Sequence, residues 1–147
     1  MHNILGDAMY FDHEKMEVYQ ASIKLVALVD EIVEQFPRGR SYLADQFQRA
    51  GLSVPLNIAE GAGEFAIQEK SRFYRMAKRS ATECAGILDV CRQLRVIEEV
   101  KYLQGRELML KIVAMLIKLA KRSDEKQSGE APAAPSGHGH GHGRGHG

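Results

Sequence analysis

A chain of 147 residues that is 44% hydrophobic and 27% charged holds enough apolar material for one domain with a buried core, and enough charge to keep it in water. Lys and Arg number 20 against 19 for Asp and Glu, so no net field draws the protein to nucleic acid or acidic lipid at long range, and any such binding must come from a local patch. The longest strongly apolar run, residues 112–120, is interrupted by Lys118 and falls far short of the roughly 20 residues that span a bilayer. The opening stretch MHNILGDAMYFDHEK has neither a basic start followed by an apolar segment nor an arginine-rich, acid-poor character, so a cytoplasmic address without membrane attachment is expected.

Four helical segments follow in chain order. Over residues 13–36, Val18, Leu25, Val29, Ile32 and Phe36 recur at threes and fours while Lys24, Asp30, Glu31 and Glu34 take the other faces, until Pro37, Arg38 and Gly39 end the pattern. A second helix starts near Ser41, a candidate N-cap, and carries Leu43, Phe47, Ala50, Val54 and Ile58 as one stripe before Gly61 and Gly63 close it. Pro55 lies inside that stripe, where it removes one backbone hydrogen bond and crowds the carbonyl of Gly51, so a kink rather than a break is expected.

The third segment, residues 68–94, reads as the longest helix, with Phe73, Ala77, Ala81, Cys84, Ile87, Leu88, Cys91 and Leu94 at helical spacing. Its two cysteines are separated by two turns, about 10.5 Å along the axis, which forbids a disulfide and reads as two small buried side chains in a reducing compartment. The fourth segment, residues 98–122, shows a stripe of Leu103, Leu110, Val113, Leu116, Ile117 and Ala120, with Leu108, Met109, Ile112, Met115 and Leu119 spread around the rest of the circumference. A helix apolar nearly all round needs cover on more than one side, so self-association is expected. Residues 1–123 are therefore expected to form the bundle and 124–147 a disordered tail rich in proline, glycine and histidine. No strand pattern interrupts the helices.

The second helix also carries a motif, QRAGLSVPLNIAEG, with Leu43, Gln46, Arg49 and Ala50 in a Leu-x-x-Gln-x-x-Arg-Ala register ahead of Ser53, Pro55, Asn57, Ile58, Ala59, Glu60 and Gly61. Together with the Phe36-Pro37 pair before it and Phe73 after it, this resembles the four-helix-bundle proteins first noticed as products of intervening sequences in bacterial 23S ribosomal RNA genes. The likeness covers about residues 16–120. It implies an all-α, up-down four-helix bundle, assembly as a homopentamer, and kinship with the accessory proteins of diversity-generating retroelements, which pair with a reverse transcriptase and bind nucleic acid through basic surfaces. Those accessory proteins are strongly basic, whereas this chain is close to neutral.

Charge is nevertheless unevenly placed. The first helix is acidic, while Arg72, Arg75 and Arg79 fall at i, i+3 and i+7 on one face of the third helix, a row of guanidinium groups suited to tracking phosphates. Arg38, Arg40 and Arg49 are candidates to extend it. The alternative is a solvated face that pairs with the acidic first helix, within one subunit or across subunits. Asn57 and Glu60 read as structural: a buried or half-buried Glu60 pairing with Arg49 or an arginine of the third helix, and Asn57 serving backbone groups left over by Pro55. In the tail, His138, His140, His142 and His146 are spaced by glycine and are candidate ligands for weak binding of Zn, Ni or Cu; a cloning remnant or a low-complexity tail without a role is the alternative. With no nucleophile motif and no paired carboxylates, no catalytic residue can be named. The expected function is a non-enzymatic, homo-oligomeric binding or scaffold protein, an adaptor for structured RNA or for a nucleic-acid enzyme such as a reverse transcriptase. The alternative is an assembly protein whose tail captures metals.

Overall fold

The computed structural model describes residues 10–130, and within them the chain forms four α-helices and no strand. These are α1 (Glu17–Glu34), α2 (Ser41–Gly63), α3 (Ile67–Gln93) and α4 (Glu99–Glu130). Each helix packs on its sequence neighbours, α4 closes the ring against α1, and the diagonal pairs α1–α3 and α2–α4 do not meet. This is the up-down bundle that short connections between antiparallel helices produce. No described helix is long and apolar enough to cross a membrane.

The core follows the periodicity of the first three helices. Leu25, Val29 and Ile32 of α1, Phe47, Val54 and Ile58 of α2, and Ala77, Ala81, Cys84, Leu88 and Cys91 of α3 all face inward and are buried. Burial pushes the thiol of Cys84 up to about 12 and that of Cys91 up to about 11, so both stay protonated small apolar groups.

The fourth helix departs from its expected phase. Its core residues are Tyr102, Met109, Ile112, Leu116 and Ala120, while Leu103, Leu110 and Ile117 are about half exposed. Gly105 explains part of the choice: a side chain there would meet both methyls of Leu88 at 3.3 Å, so the glycine lies at the α3–α4 contact and turns Leu103 and Leu110 outward. At 32 residues α4, rather than α3, is the longest helix. It runs to Glu130, beyond the boundary expected near residue 123, because Ser123 is buried, Asp124 accepts hydrogen bonds from Ser71 and Arg75 of α3, and Ser128 Oγ donates to the Asp124 carbonyl. The expectation of a disordered tail otherwise falls on residues 131–147, which lie outside the described residues.

The α2 motif is explained by the α2–α3 seam. The helix runs unbroken through the buried Pro55. Asn57 Nδ2 donates to the Ser53 carbonyl at 2.8 Å and to Ser53 Oγ at 2.9 Å, and Ser53 Oγ meets Ser80 Oγ of α3 at 2.8 Å. Asn57 thus ties a carbonyl of its own helix into a polar bridge between helices. Gly61 lies where α2 and α3 come closest: an added Cβ would stand 2.9 Å from Tyr74 Cε1 and 3.1 Å from Phe73 Cβ. Lys70 then caps the helix end, its ammonium donating to the carbonyls of Gly61 at 3.2 Å and Ala62 at 2.8 Å. Glu60 differs from expectation, since it is exposed and forms no ion pair among the described residues. Position 60 points away from the core stripe, so burial was never open to it. At the other end of α2 the N-cap is Arg40, not Ser41, and no side chain caps it; the Arg40 carbonyl instead accepts the amides of Leu43 and Ala44.

Candidate nucleic-acid interface

The arginine row of α3 exists as a surface feature, and its members have different partners. Arg72 is held within its own turn: Nε and Nη2 donate to one Glu69 oxygen at 3.1 and 2.9 Å, and the guanidinium lies over the Phe73 ring, 4.6 Å from its centre. That hydrogen bond and the Glu69 charge hold the Arg72 pKa above its ordinary value. Arg75 reaches across to α4 and pairs with Asp124. Arg79 pairs with no carboxylate among the described residues.

Along the α3–α4 seam lies a groove of about 570 Å³. Arg75, Lys78 and Arg79 line it from α3 and Lys121 from α4, with Asp124 as its single carboxylate and Ile117 on its apolar wall. Four cations in one groove, with three of them unpaired among the described residues, give a strongly basic strip on a chain whose formal net charge is +1. Lys121 was not foreseen, because it sits far away in sequence and the row it completes crosses two helices. The spacing Ile117, Lys121, Asp124 at i, i+4 and i+7 was the available signal.

The other candidates lie apart from this strip. Arg49 is exposed on α2. Arg40 begins α2, where its guanidinium donates to the Tyr42 hydroxyl at 3.1 Å, and Arg38 lies in the turn before it. Both sit at the opposite end of the bundle from Arg72, about 30 Å away along the axis by the rise of α2. They therefore do not extend the row on one protomer.

Pairing of the basic α3 face with the acidic first helix inside one subunit does not occur, since α1 and α3 are diagonal. The α1 carboxylates pair with α4 instead, Glu17 with Lys111 at 3.3 Å and Glu31 with Lys101 at 2.8 Å. Arg92 likewise turns to Glu99 of α4 at 2.7 Å.

Beside the basic groove runs the exposed apolar row of α4. Val100 is 73% exposed, Leu103 54%, Leu110 58% and Ile117 47%, and with Ala114 they fall at steps of three, seven, four and three, a heptad register in which Glu107 takes the skipped position. That register is the one in which one helix can pack along another. His138, His140, His142 and His146 lie outside the described residues, and among the described residues no group of three or more His, Cys, Asp or Glu is placed to hold a metal.

No curated protein matches the chain. Residues 14–118, from the turn before α1 to the middle of α4 and including the whole α2 motif, match the family described as 23S rRNA-intervening sequence protein. That match covers most of the chain, including the segment that holds the Ser53–Asn57–Ser80 bridge and the close approach at Gly61, and the chain belongs to this family.

Proposed function

We propose that this protein is a non-enzymatic, homo-oligomeric scaffold that binds structured RNA along the α3–α4 face, with a pentameric ring as the assembly and an RNA-handling enzyme such as a reverse transcriptase as a partner that the bound RNA would bring to it. The observation that carries the reading is the adjacency, on one face, of the basic groove at Lys78, Arg79 and Lys121 and the half-exposed row Leu103, Leu110 and Ile117. The apolar row supplies an occupant of its own kind: its heptad register, interrupted once at Glu107, fits a helix, and a second copy presents the same helix. Assembly then repeats a patch of four cations around the ring, so that a contact weak in one copy becomes strong in several.

The absence of catalysis in this reading is supported by chemistry. Both cysteine thiols are buried and held protonated, which removes them as nucleophiles. The family description names no reaction.

The test is a salt titration of binding to a labelled stem-loop RNA. Affinity should fall steeply with salt, and replacing Lys78, Arg79 and Lys121 by Ala together should lower the slope of log K against log salt by about 2–3, since each phosphate contact contributes roughly 0.9. An affinity indifferent to salt, or untouched by the triple substitution, refutes the RNA interface.

A further inference from the structure

The basic groove contains one anion, and that anion is tied at both oxygens. Asp124 Oδ1 accepts a hydrogen bond from Ser71 Oγ at 2.7 Å, and Oδ2 accepts from Arg75 Nη2. Ser71 is only 1% exposed and lies beneath the groove, so its hydroxyl is a buried anchor that fixes the Asp124 carboxylate in place. Asp124 is itself anchored in a continuous helix, with Ser123 buried before it and Ser128 bonded to its carbonyl. The exposed Arg75 guanidinium, now held by a carboxylate, is the kind of donor that recognises a phosphate.

We infer that Asp124 is a built-in competitor for RNA phosphate: it occupies the place in the groove where a backbone phosphate would meet Arg75, and so sets how tightly the α3–α4 face holds RNA. This rests on the RNA-binding reading and adds to it a residue that weakens binding rather than making it. Two effects act in the same direction. The carboxylate withholds Arg75 from the ligand, and its charge opposes any phosphate resting on Lys78, Arg79 or Lys121 in the same groove. The geometry also explains why the strip has four cations and yet leaves only three without a partner among the described residues.

Asp124→Asn tests this directly, because the amide keeps the shape of the side chain and can still bond to Ser71 and Arg75 while the charge is gone. Glu125→Gln is the control. It removes one negative charge from the neighbouring, exposed position of the same helix, which does not line the groove. Binding of the labelled stem-loop RNA is measured by fluorescence anisotropy in about 50 mM salt, and thermal melts confirm that each variant is folded.

The expected result is a five- to tenfold tighter Kd for Asp124→Asn, a change of less than twofold for Glu125→Gln, and a salt slope steeper by about 1 in Asp124→Asn only, the mark of one additional phosphate contact. Equal effects of the two substitutions, or no tightening in Asp124→Asn while the wild-type protein binds RNA with a salt-dependent affinity, overturn the competitor role and leave the RNA interface standing. No binding by any of the three proteins overturns both.

Discussion

Gly61→Ala and Gly86→Ala place the same methyl group in two helical settings and should move stability in opposite directions. Both glycines lie within helices with no left-handed backbone requirement, so alanine gains up to about 1 kcal/mol in helix propensity at either site. At Gly86 the new methyl meets nothing within 4 Å, and that gain stands alone, an increase of about 0.5–1 kcal/mol. At Gly61 the methyl would stand 2.9 Å from the ring of Tyr74, which is 5% exposed, and 3.1 Å from Phe73 Cβ, an atom fixed to the α3 backbone. Neither neighbour can swing aside, so α2 and α3 must separate at a cost of about 1–3 kcal/mol, which outweighs the propensity gain. Separation also lengthens the Lys70 contacts to the Gly61 and Ala62 carbonyls. The net expectation is a loss of about 1–2 kcal/mol for Gly61→Ala. Urea unfolding of both variants at one protein concentration, with unchanged m-values, reads the difference. Stabilisation of both variants to the same degree would refute the close-approach account of the motif.

Two further outcomes are expected. Arg95 holds φ 57 after α3, where its amide bonds the Arg92 carbonyl at 3.1 Å and the Val96 amide bonds the Cys91 carbonyl at 3.0 Å, the paired closure in which glycine is the usual residue. Arg95→Gly should therefore raise stability by about 1 kcal/mol in the same urea assay, and a loss would contradict the strain assigned to it. The Cys84 thiol is raised from 9.0 to about 12 in the folded protein, first by burial and then by the Glu83 charge. The folded state thus keeps a proton that the unfolded chain loses, so this contribution is complete below pH 9 and declines as pH rises towards 12. Stability measured from pH 8 to 10.5 should fall more steeply in the wild-type protein than in Cys84→Ala, and parallel curves would refute it.

The three stripes of α1, α2 and α3 were legible in the sequence because each is apolar on one side and polar on the other. The row Arg72, Arg75 and Arg79 was legible for the same reason. The phase of α4 was not, since Leu103, Leu110 and Ile117 are together more apolar than Tyr102, Met109 and Ile112, yet the second set is the buried one. What decides between them is tertiary: Gly105 admits Leu88, and the Tyr102 hydroxyl reaches Asp89 at 2.9 Å. The end of α4 escaped because residues 123–130 carry no apolar period, and their helix is held by Ser71 and Arg75 of the adjacent α3. The groove combined both difficulties, pairing a visible row on α3 with Lys121 and Asp124 on the helix whose phase was ambiguous.

The mass of the protein in solution tests the central claim most directly. Light scattering at micromolar concentration should give several times the 16.4 kDa of one chain, near fivefold for the ring, and Leu103→Glu with Leu110→Glu should reduce it to a folded single chain, because both side chains are about half exposed in the protomer and their change leaves the core intact. A wild-type protein that runs as a well-folded monomer, or a charged double variant that keeps the full assembly mass, would contradict the assignment of the α4 face as the contact between copies.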